Sequence, residues 1–143
     1  NQIDENAEKM ESLIKQTLVD VNEIKKIVKK NAEGINIYVP QKWKYEMHTL
    51  ALSKPKNLIA EAMKNADVKK QGEMAVKFAQ NLLKNMNALV KTLSKDEELA
   101  ALKNAEMFFS KEFGCPVSVL DADCAKSEKA QKAAPGKPGI EII

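Results

Sequence analysis

The stretch Gly34 to Met47, GINIYVPQKWKYEM, narrows the possible folds of this chain more than any other. Ile35, Ile37 and Val39 alternate with Asn36 and Tyr38, the two-residue period of a strand with one face buried. Pro40 ends the run, because it brings no backbone N–H to a ladder. Immediately afterwards Trp43, Met47, Leu50 and Ala51 fall at helical spacing, with Lys42, Lys44, Tyr45 and His48 on the other faces. A single strand in an otherwise helical, lysine-rich sequence must find its ladder partners far away. Two short runs qualify: Val117-Ser118-Val119-Leu120 behind Pro116, and the closing Ile140-Glu141-Ile142-Ile143. Pairing over such separations joins distant parts of the chain into one domain.

The remainder reads as helices. Residues 3–31 form one amphipathic helix, since Met10, Leu13, Ile14, Leu18, Val21, Ile24, Ile27 and Val28 recur at three- and four-residue steps. Gly34 suits the left-handed turn beyond its end. Ser53 or Lys54, just before Pro55, marks the start of a short helix carrying Leu58, Ile59, Ala62 and Met63. Asp67 is the expected cap of the next, which runs through Phe78, Leu82, Met86, Leu89, Val90 and Leu93 with Gly72 as a weak point. Ser94 and Glu97 have capping-box spacing and open a last long helix through Leu102, Phe109 and Phe113, its apolar face widened by Met107 and Phe108 and stopped by Gly114. Residues 126–134, with Lys126, Lys129 and Lys132 three apart, predict a weak polar helix, followed by the turn-prone Pro135-Gly136-Lys137-Pro138-Gly139. The predicted class is α+β: several helices on a small three-stranded sheet, preceded by one long amphipathic helix.

Charge is uneven. Of 143 residues, 23 are lysine, none is arginine and 20 are acidic. Residues 1–31 are neutral, residues 32–95 carry +6 and residues 96–143 carry −3. Lysine offers phosphate a compact charge without the planar fork that reads base edges, so if the chain binds nucleic acid its charges supply affinity and register rather than base identity. The alternative is a lysine-rich surface that reflects genome composition and solubility. Lys42 and Lys44 bracket Trp43, and Lys54, Lys56, Lys69, Lys70 and Lys77 follow. Interleaved cations and aromatics suit RNA, although a Trp beside a strand is also ordinary core.

Catalytic chemistry has little to stand on. There is no phosphate-binding glycine loop, no Ser or Cys beside a base and no metal-ligand pair. Cys115 and Cys124 with the lone His48 make a poor metal set and read as reduced thiols. Asp121 and Asp123 read as turn residues. No run approaches roughly 18 consecutive apolar residues, so no membrane partner is expected. The chain also opens without Met, inside a helix, as an excised piece of a longer protein or a chain with a trimmed tag would.

Three motifs carry a resemblance. INIYVPQKWKYEM resembles the junction in leucyl-tRNA synthetases of the archaeal and eukaryotic type, where a helical anticodon-binding bundle meets a small C-terminal domain. TLVDVNEIKKIVKKN, Thr17 to Asn31, resembles the bundle's last long helix, and APGKPGIEII, Ala134 to Ile143, the closing tail. The middle matches only in helical, basic character. The resemblance implies domains 1–33 (end of the bundle) and 34–143 (tRNA-binding). It implies a cytoplasmic parent that joins leucine to its tRNA with ATP and Mg, and a fragment with no catalytic or metal residues and no cofactor. The implied partners are tRNA(Leu), through its long variable arm, and the rest of the synthetase chain, with no DNA. The RNA-binding residues implied by the resemblance are Lys137, Pro138, Gly139, Ile140, Glu141 and Ile142 in the tail; Lys42 and Lys44 come from the charge pattern instead. The competing reading is a free-standing helical adaptor that docks a protein, or self-associates as a coiled coil, through the 3–31 stripe.

Overall fold

The computed structural model describes residues 2–28, 32–86, 93–125 and 127–143. They divide into two compact units, one of Asn1–Gln41 with Thr92–Ile143, the other Lys42–Lys91. The 1–33 and 34–143 division is what the resemblance implies for a longer chain, whereas this one rests on contacts within the chain.

In the first unit, α1 (Gln2–Val28) precedes β1 (Ile35–Val39), and α6 (Lys95–Asn104), α7 (Glu106–Phe113), β2 (Val117–Asp121), a 3-10 turn at Ala122–Cys124, α8 (Glu128–Gln131) and β3 (Gly139–Ile142) follow. The sheet order is β2-β1-β3. β1 pairs parallel with β2, Ile35 opposite Val117, and antiparallel with β3, Ile35 opposite Ile142. The predicted strands and the α+β class are therefore present, with the earliest strand at the centre. Ile35, Ile37, Val39, Val117, Val119 and Ile140 are buried on one face. On the other, Tyr38 packs with Ala122 and Ala130 under α8.

α1 lies on α6 and buries Leu13, Thr17 and Val21. Asn6 Nδ2 donates to Glu97 Oε2 at 2.9 Å, and Lys25 Nζ sits 5.6 Å from the Phe113 ring centroid. The stripe outruns its cover: Ile27 is 78% exposed and Val28 is also exposed, so the end of the apolar stripe read from the sequence is not covered by the described residues. Residues 29–31 of that predicted helix lie outside the described residues. The Ser94–Glu97 capping box forms as predicted. The long helix it opens is two helices that break at Ala105, and Met107 and Phe108 point outward rather than widening the core, at 75% and 45% exposure. Gly114 ends α7 at φ 68, in the left-handed region. The weak polar helix shrinks to the four residues of α8, capped by Ser127, while Lys126 lies outside the described residues.

In the second unit, α2 (Lys42–Leu52), α3 (Leu58–Ala62), α4 (Ala66–Lys70) and α5 (Glu73–Lys84) share a core of Trp43, Met47, Ala51, Leu58, Val68 and Ala79. Three sequence expectations shift. Asn57, not Ser53 or Lys54, caps α3, while Ser53 Oγ turns back to Leu50 O at 2.6 Å. Asn65, not Asp67, caps α4, its Oδ1 accepting from Asp67 N and Val68 N. Gly72, at φ 54, separates α4 from α5 altogether. α5 ends at Lys84, short of Met86; Leu89 and Val90 lie outside the described residues, and Leu93 is buried outside any helix.

Candidate nucleic-acid interface

The two edges of the small sheet are finished differently. Ile35 N donates to Pro116 O at 2.9 Å, so strand alternation turns the N–H groups of Val117 and Val119 away from β1. Both are met by side chains one helical turn apart on α7. Val117 N donates to Ser110 Oγ at 3.1 Å and Val119 N to Glu106 Oε2 at 2.6 Å. That edge is closed.

At the other edge, Ile143 N donates to Gly34 O at 2.9 Å, and Glu33 N to Ile143 O at 2.7 Å. The same alternation aims the main-chain groups of Glu141 and Gly139 at β1 and those of Ile140 and Ile142 outward. The strand is entered through a turn. Ala134 and Lys137 exchange two backbone bonds, at 2.9 and 2.7 Å, around Pro135-Gly136. Gly136 has φ 80, the value a type II turn requires after proline at its second position. Lys137 is exposed at the tip, and Pro138, Gly139 and Ile140 are buried.

Glu141 organises this end of the fold. Its carboxylate accepts from Asn36 Nδ2 at 3.1 Å, Tyr38 OH at 2.9 Å and Ser127 Oγ at 3.2 Å. The Asn36 and Tyr38 hydrogen bonds hold it below the usual carboxylate range, with Ser127 and Lys129 adding to the effect against desolvation. On the other side, Lys95 Nζ reaches Asp121 Oδ1 at 2.7 Å and Asp123 Oδ2 at 2.5 Å. Burial works to lower the pKa of Lys95, but hydrogen bonds to the two aspartates outweigh it and hold the ammonium above its ordinary value. The turn expected at Asp121 and Asp123 is present, fastened from α6.

The second unit presents the basic surface. Lys42–Lys91 contains ten lysines against four acidic residues, a net +6. Lys42, Lys54, Lys56, Lys69, Lys70 and Lys77 are exposed. Lys44 is not. It is 3% exposed, its Nζ 5.6 Å from the Trp43 ring centroid and 5.8 Å from that of Phe78. Those two rings meet edge to face at 5.6 Å. Burial pulls the Lys44 pKa down to about 8. Trp43, 4% exposed, belongs to the core, and Lys44 directs its charge at aromatic faces inside the unit.

No family model matches the chain. Curated relatives do. A leucine–tRNA ligase from Methanothrix thermoacetophila is 34% identical across 98% of this chain and 16% of its own length. That of Halobacterium salinarum is 32% identical over 92% of the chain and 15% of the relative, and that of Pyrococcus horikoshii 30% over 96% and 14%. This chain matches the C-terminal region of leucine–tRNA ligases. It spans about a sixth of its relatives' length. The match runs through the middle as well as through the motif-bearing ends, and it does not favour the free-standing adaptor.

Within this ligase segment, Lys137 and the outward groups of Ile140 and Ile142 lie on one turn and one strand edge. Pro138 and Gly139 are buried, and Glu141 is half-buried with its carboxylate taken up by Asn36, Tyr38 and Ser127. Lys42 is exposed on the second unit. Glu98, Glu106 and Ser110 went unnoticed in the sequence, because nothing in a helix's own period announces which backbone amide its polar side chain will meet. Both cysteines are free thiols, Cys115 buried and Cys124 exposed. Among the described residues, no group of three His, Cys, Asp or Glu is placed to hold a metal ion, and no helix is long and apolar enough to cross a membrane.

Proposed function

We propose that this chain is the tRNA-binding, non-catalytic C-terminal part of a leucine–tRNA ligase, and that it engages tRNA(Leu) at its long variable arm. Leucine activation, with ATP and Mg, belongs to the remainder of the enzyme, which is also this segment's covalent partner in the cytoplasm. The observation that carries the reading is Lys137, exposed at a rigid turn that leads into an edge strand, β3, whose outer side pairs with no strand among the described residues. Splayed loop bases can be recognised by main-chain groups of such an edge without any guanidinium fork. The lysines of the second unit, Lys42 among them, add sequence-independent attraction for phosphate.

The test is fluorescence anisotropy of the chain with a long-armed leucine tRNA and with a short-armed tRNA, at about 50 and about 200 mM salt. Tighter binding of the long-armed RNA, weakened about one to two orders of magnitude by the added salt, is expected if some three phosphates are engaged. Equal affinity for both RNAs, or none, would refute the reading. Substitution suits this test better than truncation, since residues 138–143 are also the third strand and removing them dismantles the Glu141 cluster.

A further inference from the structure

One buried carboxylate has no part in the interface as described. Glu98, on α6, is 1% exposed, and its Oε1 accepts the backbone N–H of Gly136 at 2.9 Å across 38 positions of sequence. In a type II turn the N–H between the two central residues points sideways, outside the bonds that close the turn. Ala134 and Lys137 already close it. The Glu98 contact therefore fixes the plane of the Pro135–Gly136 peptide rather than the existence of the turn. Burying a carboxylate is costly, and a neutral aliphatic side chain would serve a merely structural wall as well.

Resting on the reading above, we infer that Glu98 is a positioning residue for RNA binding. It locks the Pro135–Gly136 peptide so that the Lys137 ammonium meets a phosphate in register with the outward main-chain groups of Ile140 and Ile142. Without the lock, the turn still closes but rocks about its two backbone bonds. Lys137 then samples positions that cannot reach the phosphate while the strand edge is engaged.

The test uses the whole chain and a fluorescent long-armed leucine tRNA, with Glu98→Gln, Glu98→Leu, Lys137→Ala and the Glu98→Leu/Lys137→Ala double variant. Glu98→Gln keeps a carbonyl acceptor and should bind within about twofold of the parent. Glu98→Leu should weaken binding about five- to tenfold and flatten the salt dependence by about one phosphate, as Lys137→Ala does. The double variant should be no weaker than Lys137→Ala alone, because both remove the same contact. Additive losses, or an unchanged salt slope in Glu98→Leu, overturn the inference. Should Glu98→Leu not fold, Glu98→Asp replaces it: the charge is kept but the acceptor is withdrawn by one methylene, and parent-like affinity and slope would be equally fatal. Failure of the parent chain to bind the RNA removes the functional reading and this inference with it. Binding by the parent with no effect at Glu98 removes this inference alone.

Discussion

Alanine at Gly139 and alanine at Gly34 are the same chemical change at the entrances of two neighbouring strands, with opposite consequences. Neither glycine has a positive φ, so backbone conformation does not separate them. Space does. A methyl group on Gly139 would lie 2.2 Å from the Lys129 carbonyl oxygen and 3.2 Å from its carbon. Real contacts of this kind stay beyond 3.0 Å, so α8 and β3 must separate by roughly 0.8 Å. The obstacle is backbone, and it is fastened on both sides, by the Ser127 cap and by the Ser127 Oγ bond to Glu141. Overpacking of this kind costs about 1–3 kcal/mol. Loosening one of the hydrogen bonds around Glu141 adds about 1 kcal/mol. Gly139→Ala should therefore destabilise the fold by about 2–4 kcal/mol, a fall in Tm of roughly 10 °C for a chain of this size. At Gly34 the nearest atom to the new methyl is Pro116 O, at an ordinary 3.6 Å. That variant should stay within about 0.5 kcal/mol of the parent, with a small gain from the stiffer unfolded chain. Urea unfolding followed by far-ultraviolet circular dichroism gives the two midpoints. Exchange of the Ile143 amide, which donates to Gly34 O, reports the strand directly. Equal midpoints for the two alanines would refute the steric account.

Other consequences are as direct. Glu106→Ala strips the acceptor from Val119 N and should cost about 1.5–3 kcal/mol while opening the β2 edge to a second copy of the chain; sedimentation velocity that stays monomeric would count against edge closure as its role. Lys44, held near 8, binds a proton less readily folded than unfolded, so its contribution to stability rises with pH from about 8 up to its ordinary value of 10.5. Lys44→Met should lack that rise in urea midpoints measured across the interval, and identical profiles would exclude burial as the cause. Glu141, held below its ordinary 4.5, contributes stability that is complete above that value and lost as pH falls through its folded pKa. Glu141→Gln should flatten the acid limb of the stability profile, and an unchanged acid limb would mean that the Asn36 and Tyr38 bonds do not favour the charged form.

Period and punctuation were legible wherever one element decides its own fate. Ile35, Ile37 and Val39 announced the central strand, Ser94 and Glu97 their capping box, and Gly114 its left-handed stop. Competition between neighbouring caps was not legible. Asn65 and Asp67 are both good N-caps, and Asn65 prevails because its Nδ2 also reaches Glu46 Oε2 at 2.8 Å, a partner 19 positions away. Extent was not legible either. Ile27 and Val28 continue the pattern of α1, but α1 runs past its cover, and Met107 fits a helical period whose facing surface is solvent. The candidate site divided in the same manner. Lys42-Trp43-Lys44 reads as two like cations around an aromatic ring, yet successive helical positions lie about 100° apart, so Lys42 faces water while Lys44 follows Trp43 inward.

The unequal treatment of the two sheet edges follows from the same geometry. A short strand with bare amides invites pairing with another chain, and folds usually cover, charge or shorten it. β2 is covered, and at the expense of an acidic side chain: Glu106 could have stayed in water, but its carboxylate is drawn against Val119 N. β3, four residues long, meets no strand on its outer side among the described residues, with Lys137 at its entrance and buried Pro138 denying one more donor to any added strand. Charge and proline at its start deter a hydrophobic strand from docking there. Neither deters a polyanion, which the lysine attracts. If RNA docks here as proposed, the edge discriminates between partners by chemistry rather than by closure, and discrimination of that kind requires the lysine to be held still.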